Sequence, residues 1–275
     1  MTHKKNVLTI AGSDSSGGAG IQADIKTFEA LNVYSASVIT SVTAQNTQGV
    51  QSVYDLPANF ITQQLESVFS DISISAVKIG MLKRTDFIDA IYNILKNQPT
   101  LKVVLDPVMV STSGHSLIDD DAKEALANQL FPLTYLITPN IPEAAVLLER
   151  ETSWVENNLE LACTTLFEKY DLKAVLLKGG HMQGEYCLDT LAVRDKQTHS
   201  INKYEFKYKR IDTQNTHGTG CSLSSAITAY LAQDKSLEDA VRLAGVFLQK
   251  AILNANLQNV GSGHGPINHS SGSYS

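Results

Sequence analysis

Apolar residues along this chain fall into two alternating patterns. Short β-branched runs at 7–11, 37–42, 76–79, 103–105, 135–137 and 175–177 are mostly apolar on both faces, as strands buried between two layers must be. Between them a helical period runs through 21–31, 61–69, 87–95, 121–130, 143–148 and 159–170. Strand–helix alternation of this length predicts an α/β fold with a mostly parallel sheet covered on both sides. Two runs depart from the scheme, because 187–194 and 204–211 read as an antiparallel pair joined by a polar stretch. Helices at 222–232 and 237–256 close the pattern, and no internal repeat is visible. Residues 270–275, Ser-Ser-Gly-Ser-Tyr-Ser, lack the apolar content to pack and are expected to form a mobile tail.

Composition narrows the picture. With 275 residues and 43% apolar content, one large domain over 1–269 fits better than two small ones. A formal charge of −6 without a long basic run excludes nucleic acid as a partner. An anionic ligand must then be held locally, by helix ends, a few lysines and a bound cation. The cysteines at 163, 187 and 221 are odd in number and widely spaced, which gives neither a disulfide framework nor a zinc ligand set. A reducing, cytoplasmic setting is expected, and no window reaches membrane-spanning length.

The chemistry concentrates where strands end. Asn215-Thr216-His217-Gly218-Thr219-Gly220-Cys221 runs into a small, apolar helical stretch. Glycines let its N–H groups converge at a positive helix end, which makes an anion site, although a glycine pair before a helix is also an ordinary turn. Cys221 at the mouth of that helix is expected to lean toward its thiolate. Each parallel strand is followed by residues a plain connection would not need: residues 12–20, Thr43-Ala44-Gln45-Asn46, Gly80-Met81, Asp106-Pro107-Val108, Thr138 through Glu143, and Lys178-Gly179-Gly180-His181. In an open parallel sheet these ends share one edge, where ligands bind. The first of these loops lacks both the Walker spacing and the dinucleotide fingerprint, and suits close approach of a flat ligand.

Taken in order, Ala11-Gly12-Ser13-Asp14, Gly17 through Asp24, Asp106-Pro107-Val108-Met109, Thr138-Pro139-Asn140 to Glu143, Lys178 to His181, and Thr216 to Cys221 resemble the hydroxymethylpyrimidine/phosphomethylpyrimidine kinases of thiamine biosynthesis. That family is ribokinase-like, so the resemblance implies a three-layer α/β/α sandwich, a homodimer, and ATP with Mg²⁺. It extends from about residue 6 to Gly263-His264-Gly265-Pro266-Ile267-Asn268-His269. The implied activity is phosphorylation of 4-amino-5-hydroxymethyl-2-methylpyrimidine to its monophosphate and then its diphosphate. A pyridoxal or pyridoxine kinase is the alternative within the superfamily, and a non-catalytic pyrimidine sensor is the alternative outside it.

The resemblance also implies roles. Gly218, Thr219, Gly220 and Cys221 would receive charge on the transferred phosphoryl group, with Cys221 where sugar-kinase relatives place an aspartate base. Asn140, Lys178, Gly180 and Thr216 would contact the nucleotide, Lys178 as a point charge. Glu143 and Asp106 are candidates for Mg²⁺, directly or through water, although Glu143 three residues after Asn140 also reads as a capping box. Gln45 can pair in two places with an aminopyrimidine edge. Gly12 and Asp24 would fix the ring and hydroxymethyl group, with Met81 and Val108 packed on the ring. Other residues have plainer readings. Cys163 is core, Asp119-Asp120-Asp121 caps a helix, Trp154 belongs to a surface connection, and His217 with Cys221 is too few ligands for zinc. His181 beside the nucleotide segment has no evident proton to move.

Overall fold

The computed structural model describes residues 4–109, 118–180, 184–195 and 197–273. The buried runs of the sequence become strands β1 (Asn6–Asp14), β2 (Tyr34–Asn46), β4 (Ala76–Ile79), β5 (Lys102–Leu105), β6 (Leu136–Ile137) and β7 (Ala174–Leu177), all parallel. Three antiparallel strands extend the edges: β3 (Gly49–Asp55), β8 (Tyr186–Arg194) and β9 (Ile201–Lys209). The sheet order is β3-β2-β1-β4-β5-β6-β7-β8-β9. The chain reverses its direction of travel across the sheet at β1, which pairs with β2 on one side and β4 on the other. A crevice at the C-terminal ends opens at such a switch point.

The helices are α1 (Gly20–Ala30), α2 (Ala58–Asp71), α3 (Thr85–Leu95), α4 (Asp120–Ala125), α5 (Ile141–Leu148), α6 (Thr152–Asn157), α7 (Leu159–Lys169), α8 (Thr219–Ala232) and α9 (Leu237–Leu253). Strand pleating sends alternate residues to opposite faces, and the two faces carry different helices. Leu8, Ile10, Val77, Ile79, Val103, Leu105 and Val175 pack with α2, α3, α5 and α7 residues such as Leu65, Ile88, Ala144 and Leu166. Val7, Ala76, Val104, Leu136 and Leu176 face Phe28 of α1, Ile227 of α8 and Phe247 of α9. This is the three-layer α/β/α sandwich expected.

Several local expectations change. β2 runs on to Asn46 and pairs with β3, a strand whose exposed, polar-rich sequence hides it. Trp154 lies on the short helix α6 and packs partly against the core, with Arg150 stacked on its ring at 5.5 Å. Asp119 stands at the N-cap of α4 without a side-chain capping bond, so the acidic run contributes charge to the first turn rather than a cap. Cys163 is fully buried as predicted. His269–Ser273 forms a 3-10 turn in which Ser270 and Ser271 bond back to Asn268. Tyr274 and Ser275 lie outside the described residues.

Candidate active site

Two glycine-rich loops interlock above β1. Gly218 caps α8 with φ 83°, in the left-handed region that favours glycine, and a Cβ there would strike the carbonyl of Gly18. A Cβ on Gly18 would in turn strike the His217 ring. Asp14 ties the pair together. Its carboxylate accepts from Ser16 N and Oγ, Gly18 N and Ala19 N at 2.7–3.1 Å, and His217 Nε2 lies 2.9 Å from its Oδ2. Burial works against the charge on Asp14, but the bonds from His217, Ser16 and Ala19 outweigh it and hold the carboxyl well below the usual range. His217 N also donates to Gly265 O, so the segment before His269 backs the second loop.

Helix α8 begins at Thr219, three residues earlier than its sequence suggests. Its N-cap supplies no side-chain bond. Thr219 N reaches Thr216 O and Ser222 N reaches Gly218 O, but the N–H groups of Gly220 and Cys221 have no acceptor among the described residues. Two free amides at a positive helix end form an anion hole. A Cβ placed on Gly220 would make ordinary contacts at 3.5 Å to Lys178 Nζ and 3.6 Å to Asp106 Oδ2, so that ion pair lies beside the first turn of α8.

The pair itself is short and nearly buried. Lys178 Nζ donates to Asp106 Oδ1 at 2.7 Å, and Thr138 Oγ1 donates to the same oxygen at 3.0 Å. Burial opposes the Asp106 charge, yet Lys178 and Lys78 overcome it and lower the carboxyl. Glu143 lies close enough to sense both partners. Burial first, then the like charge of Asp106, pushes its carboxyl up to about 7 against the attraction of Lys178. The capping box read from the sequence is present: Glu143 N donates to Asn140 Oδ1 at 2.8 Å, and Asn140 N donates to Glu143 Oε2 at 2.7 Å. Among the described residues no three His, Cys, Asp or Glu side chains cluster as a metal site.

Cys221 reverses its expectation. The N–H of Gly20 at the start of α1 lies close enough to favour its thiolate slightly, so two helix N-termini come together there. Burial nevertheless dominates, Asp24 and Asp106 reinforce it, and the thiol is pushed up despite Lys78. The helix-end field expected to favour the thiolate loses to desolvation.

On the acceptor side, a Cβ on Gly12 would lie 3.5 Å from Met81 Cε, which places these two together, and Val108 is partly buried nearby in sequence from Asp106. Gln45 sits beside His217, amide nitrogen to Nε2 at 3.3 Å, with Thr43 Oγ1 donating to its carbonyl at 3.2 Å. One Nε2 cannot both donate to Asp14 and accept from Gln45. The shorter contact to a carboxylate takes the proton, and the Gln45 amide stays available. Thr216 and Gly180 are exposed, Gly180 O accepting from Arg210 at 2.9 Å. Asp24 does not open into the site in this structure. It is fully buried, with both oxygens on Lys78 and further bonds from Thr9 and Ser225. His181 lies outside the described residues.

Sequence reasoning did not single out Asp14, Lys78 or His269. Lys78 had a signal, a lone cation in the otherwise apolar run Ala-Val-Lys-Ile. Asp14 is bonded within its own glycine loop, but its link to His217 lies 203 residues away and that of His269 to Ser222 lies 47, and neither leaves a local trace.

Comparison with known proteins follows this geometry. The sequence model of the family described as phosphomethylpyrimidine kinase matches residues 14–268. The hydroxymethylpyrimidine/phosphomethylpyrimidine kinase of Salmonella typhimurium is 45% identical over 264 residues, covering 96% of this chain and 97% of that protein. The protein of the same name from Escherichia coli gives the same identity and coverage. Among solved structures, the phosphomethylpyrimidine kinase of Clostridium difficile shares 42% identity with a TM-score of 0.74, over 90% of this chain and all of that one. An ADP complex of Bacillus subtilis pyridoxal kinase superposes with a TM-score of 0.86 at 32% identity, covering 98% of each chain.

Proposed function

The chain belongs to the phosphomethylpyrimidine kinase family, and from that premise we propose how its site phosphorylates 4-amino-5-hydroxymethyl-2-methylpyrimidine and then the monophosphate so formed, with ATP as donor. The observation that carries the reading is that the N–H groups of Gly220 and Cys221, beside Lys178, have no partner among the described residues. Phosphoryl transfer passes through a loose, in-line transition state, so the protein's work is positioning and charge stabilisation. The anion hole receives the equatorial oxygens, and Lys178 offsets the triphosphate charge from the other side. Asn140, Gly180 and Thr216 lie at the same edge of the sheet and line the nucleotide's approach.

The residues fit Mg²⁺. Glu143 and Asp106 offer hard carboxylate oxygens close enough to feel one another's charge, the kind of donor that ion prefers. They would hold the ion together with the phosphates and water, and it would supply charge neutralisation on the β- and γ-oxygens. Gln45, turned by Thr43 and His217, addresses the aminopyrimidine edge, with Gly12, Met81 and Val108 around the ring. Pyridoxal kinases share the fold at lower identity, and Gln45 favours the aminopyrimidine. No helix among the described residues is long and apolar enough to cross a membrane. The protein acts in the cytoplasm as a homodimer, a state supported by exposed Val42, Val50, Val53 and Tyr54 on the β2–β3 hairpin.

The test is turnover with MgATP on the aminopyrimidine alcohol, its monophosphate and pyridoxal in parallel. ADP release with the first two is expected. Turnover of pyridoxal alone would transfer the assignment to that substrate, and turnover of none would leave a binding protein.

A further inference from the structure

Lys78 is the largest charged side chain in the interior and has no part in the chemistry described above. It occupies the middle of β4 with its side chain fully buried, on the face toward α1 and α8 by the same alternation that places Ala76 there. Its Nζ donates to Asp24 Oδ1 at 2.9 Å and Oδ2 at 2.8 Å. It also lies 2.9 Å from where a Gly80 Cβ would stand, so glycine at the strand end leaves the ammonium its room. Asp24 completes its shell with Thr9 Oγ1 at 2.6 Å and Ser225 Oγ at 2.7 Å.

Ser225 belongs to a set. Three buried serines in the first two turns of α8 each reach a different anchor. Ser222 meets His269 Nε2 at 2.9 Å, Ser224 lies 3.4 Å from Asp106 while its hydroxyl reaches the nearer carbonyls of Cys221 and Gly220, and Ser225 donates to Asp24. Ser225 stands one turn beyond Cys221 on the same face, so the Lys78–Asp24 pair lies directly beneath the anion hole. Stability alone does not account for the pair, because well-packed apolar residues of similar volume commonly serve as well or better than a buried ion pair. Transition-state stabilisation, by contrast, needs donors that do not reorganise during transfer.

On the reading of the site given above, we propose that Lys78 is a positioning residue for phosphoryl transfer: by locking Asp24 it fixes Ser225, and with it the first turn of α8 that carries the Gly220 and Cys221 amides. The pair acts through the helix, and neither residue touches the transferred group.

Two variants test this, each measured for melting temperature, kcat and KM of both substrates. The double variant K78M/D24L replaces the pair with apolar side chains and leaves no orphan charge. It is expected to fold, with a melting temperature lowered by the Thr9 and Ser225 hydroxyls that lose their acceptor, while kcat falls about 100-fold, the loss typical of a misplaced catalytic group, and both KM values stay within about twofold. Ser225→Ala cuts only the link to α8 and is expected to lower kcat about 10-fold with the same KM pattern. It decides the matter if the double variant does not fold. Wild-type kcat in either folded variant would make the pair a structural filler and overturn the proposal. So would a rise in acceptor KM at unchanged kcat, which would mean that Asp24 binds substrate. If the wild-type enzyme turns over no acceptor, the functional reading fails by itself. Positioning is then judged by the rate at which iodoacetamide alkylates Cys221, located by peptide mass: Ser225→Ala changes it if the proposal holds and leaves it unchanged if not.

Discussion

Asp14 and His217, 203 residues apart in sequence, meet at 2.9 Å and join the two loops from which the site is built. Asp14 gathers the amides of Ser16, Gly18 and Ala19 in one loop, and His217 is the first side chain before the anion hole in the other. Asp14→Ala is expected to destabilise the protein at pH 7 by about 3 kcal/mol, since several buried donors lose their acceptor. The native carboxyl is depressed below its ordinary value of 3.8, so its contribution is complete above that pH and fades as pH falls toward the native pKa. Urea denaturation at pH 7 and pH 3 checks this: the gap between variant and wild type narrows at the lower pH.

Glu143 has the opposite sign. Its carboxyl rises from 4.5 to about 7 on folding, so the proton favours the folded state below 4.5 and that advantage is lost as pH rises through 7. Glu143→Gln keeps a capping-box partner at the same position. Without nucleotide or metal it is expected to be more stable than wild type at pH 8, by about 2 kcal/mol, and equal to it near pH 4. Its kcat is expected to fall at least about 10-fold if Glu143 holds the proposed Mg²⁺, because a hard oxygen ligand would be replaced. A variant less stable at pH 8 would show that the carboxylate is not strained.

On the proposed reading, Gln45 selects the acceptor. Gln45→Ala is expected to lower kcat/KM for the aminopyrimidine alcohol by about 100-fold, because buried amine and ring nitrogen lose their partners. Any activity on pyridoxal should change far less. Steady-state kinetics on both acceptors is the check, and an equal loss on the two would remove Gln45 from recognition.

If Cys221 is the base, it separates the two transfers. Only the alcohol brings a proton for removal, since a phosphate monoester is already largely ionised near neutrality. Cys221→Ala is therefore expected to slow the first transfer about 10-fold more than the second. Because burial has raised the thiol above 9, the wild-type rate of the first transfer should still be climbing at pH 9. Equal losses in the two steps would reduce the thiol to a shaping role.

Much of this arrangement was legible in the sequence, and the failures have physical causes. The run at 76–79 reads as a strand because it is mostly apolar on both faces, and the strand-end rule then gathers Asp106, Glu143 and Lys178 at one edge. Gly49–Asp55 was not legible, since an exposed edge strand carries no buried alternation. The start of α8 was hidden by Thr219 and Gly220, which have poor helix propensity and form helix there because the loop of Gly18 holds them. Asp24 was placed in the wrong setting because its partner Lys78 lies 54 residues away. Cys221 was given the wrong inclination because a helix end can be read from sequence and the depth of burial around it cannot.

The most direct test follows the pyrimidine itself. With purified protein, excess MgATP and the aminopyrimidine alcohol, mass spectrometry of the products is combined with a count of ADP formed. The account predicts the monophosphate first, the diphosphate after it, and two ADP for each pyrimidine converted. ADP release without phosphorylated pyrimidine, or a monophosphate that never proceeds to the diphosphate, would contradict it.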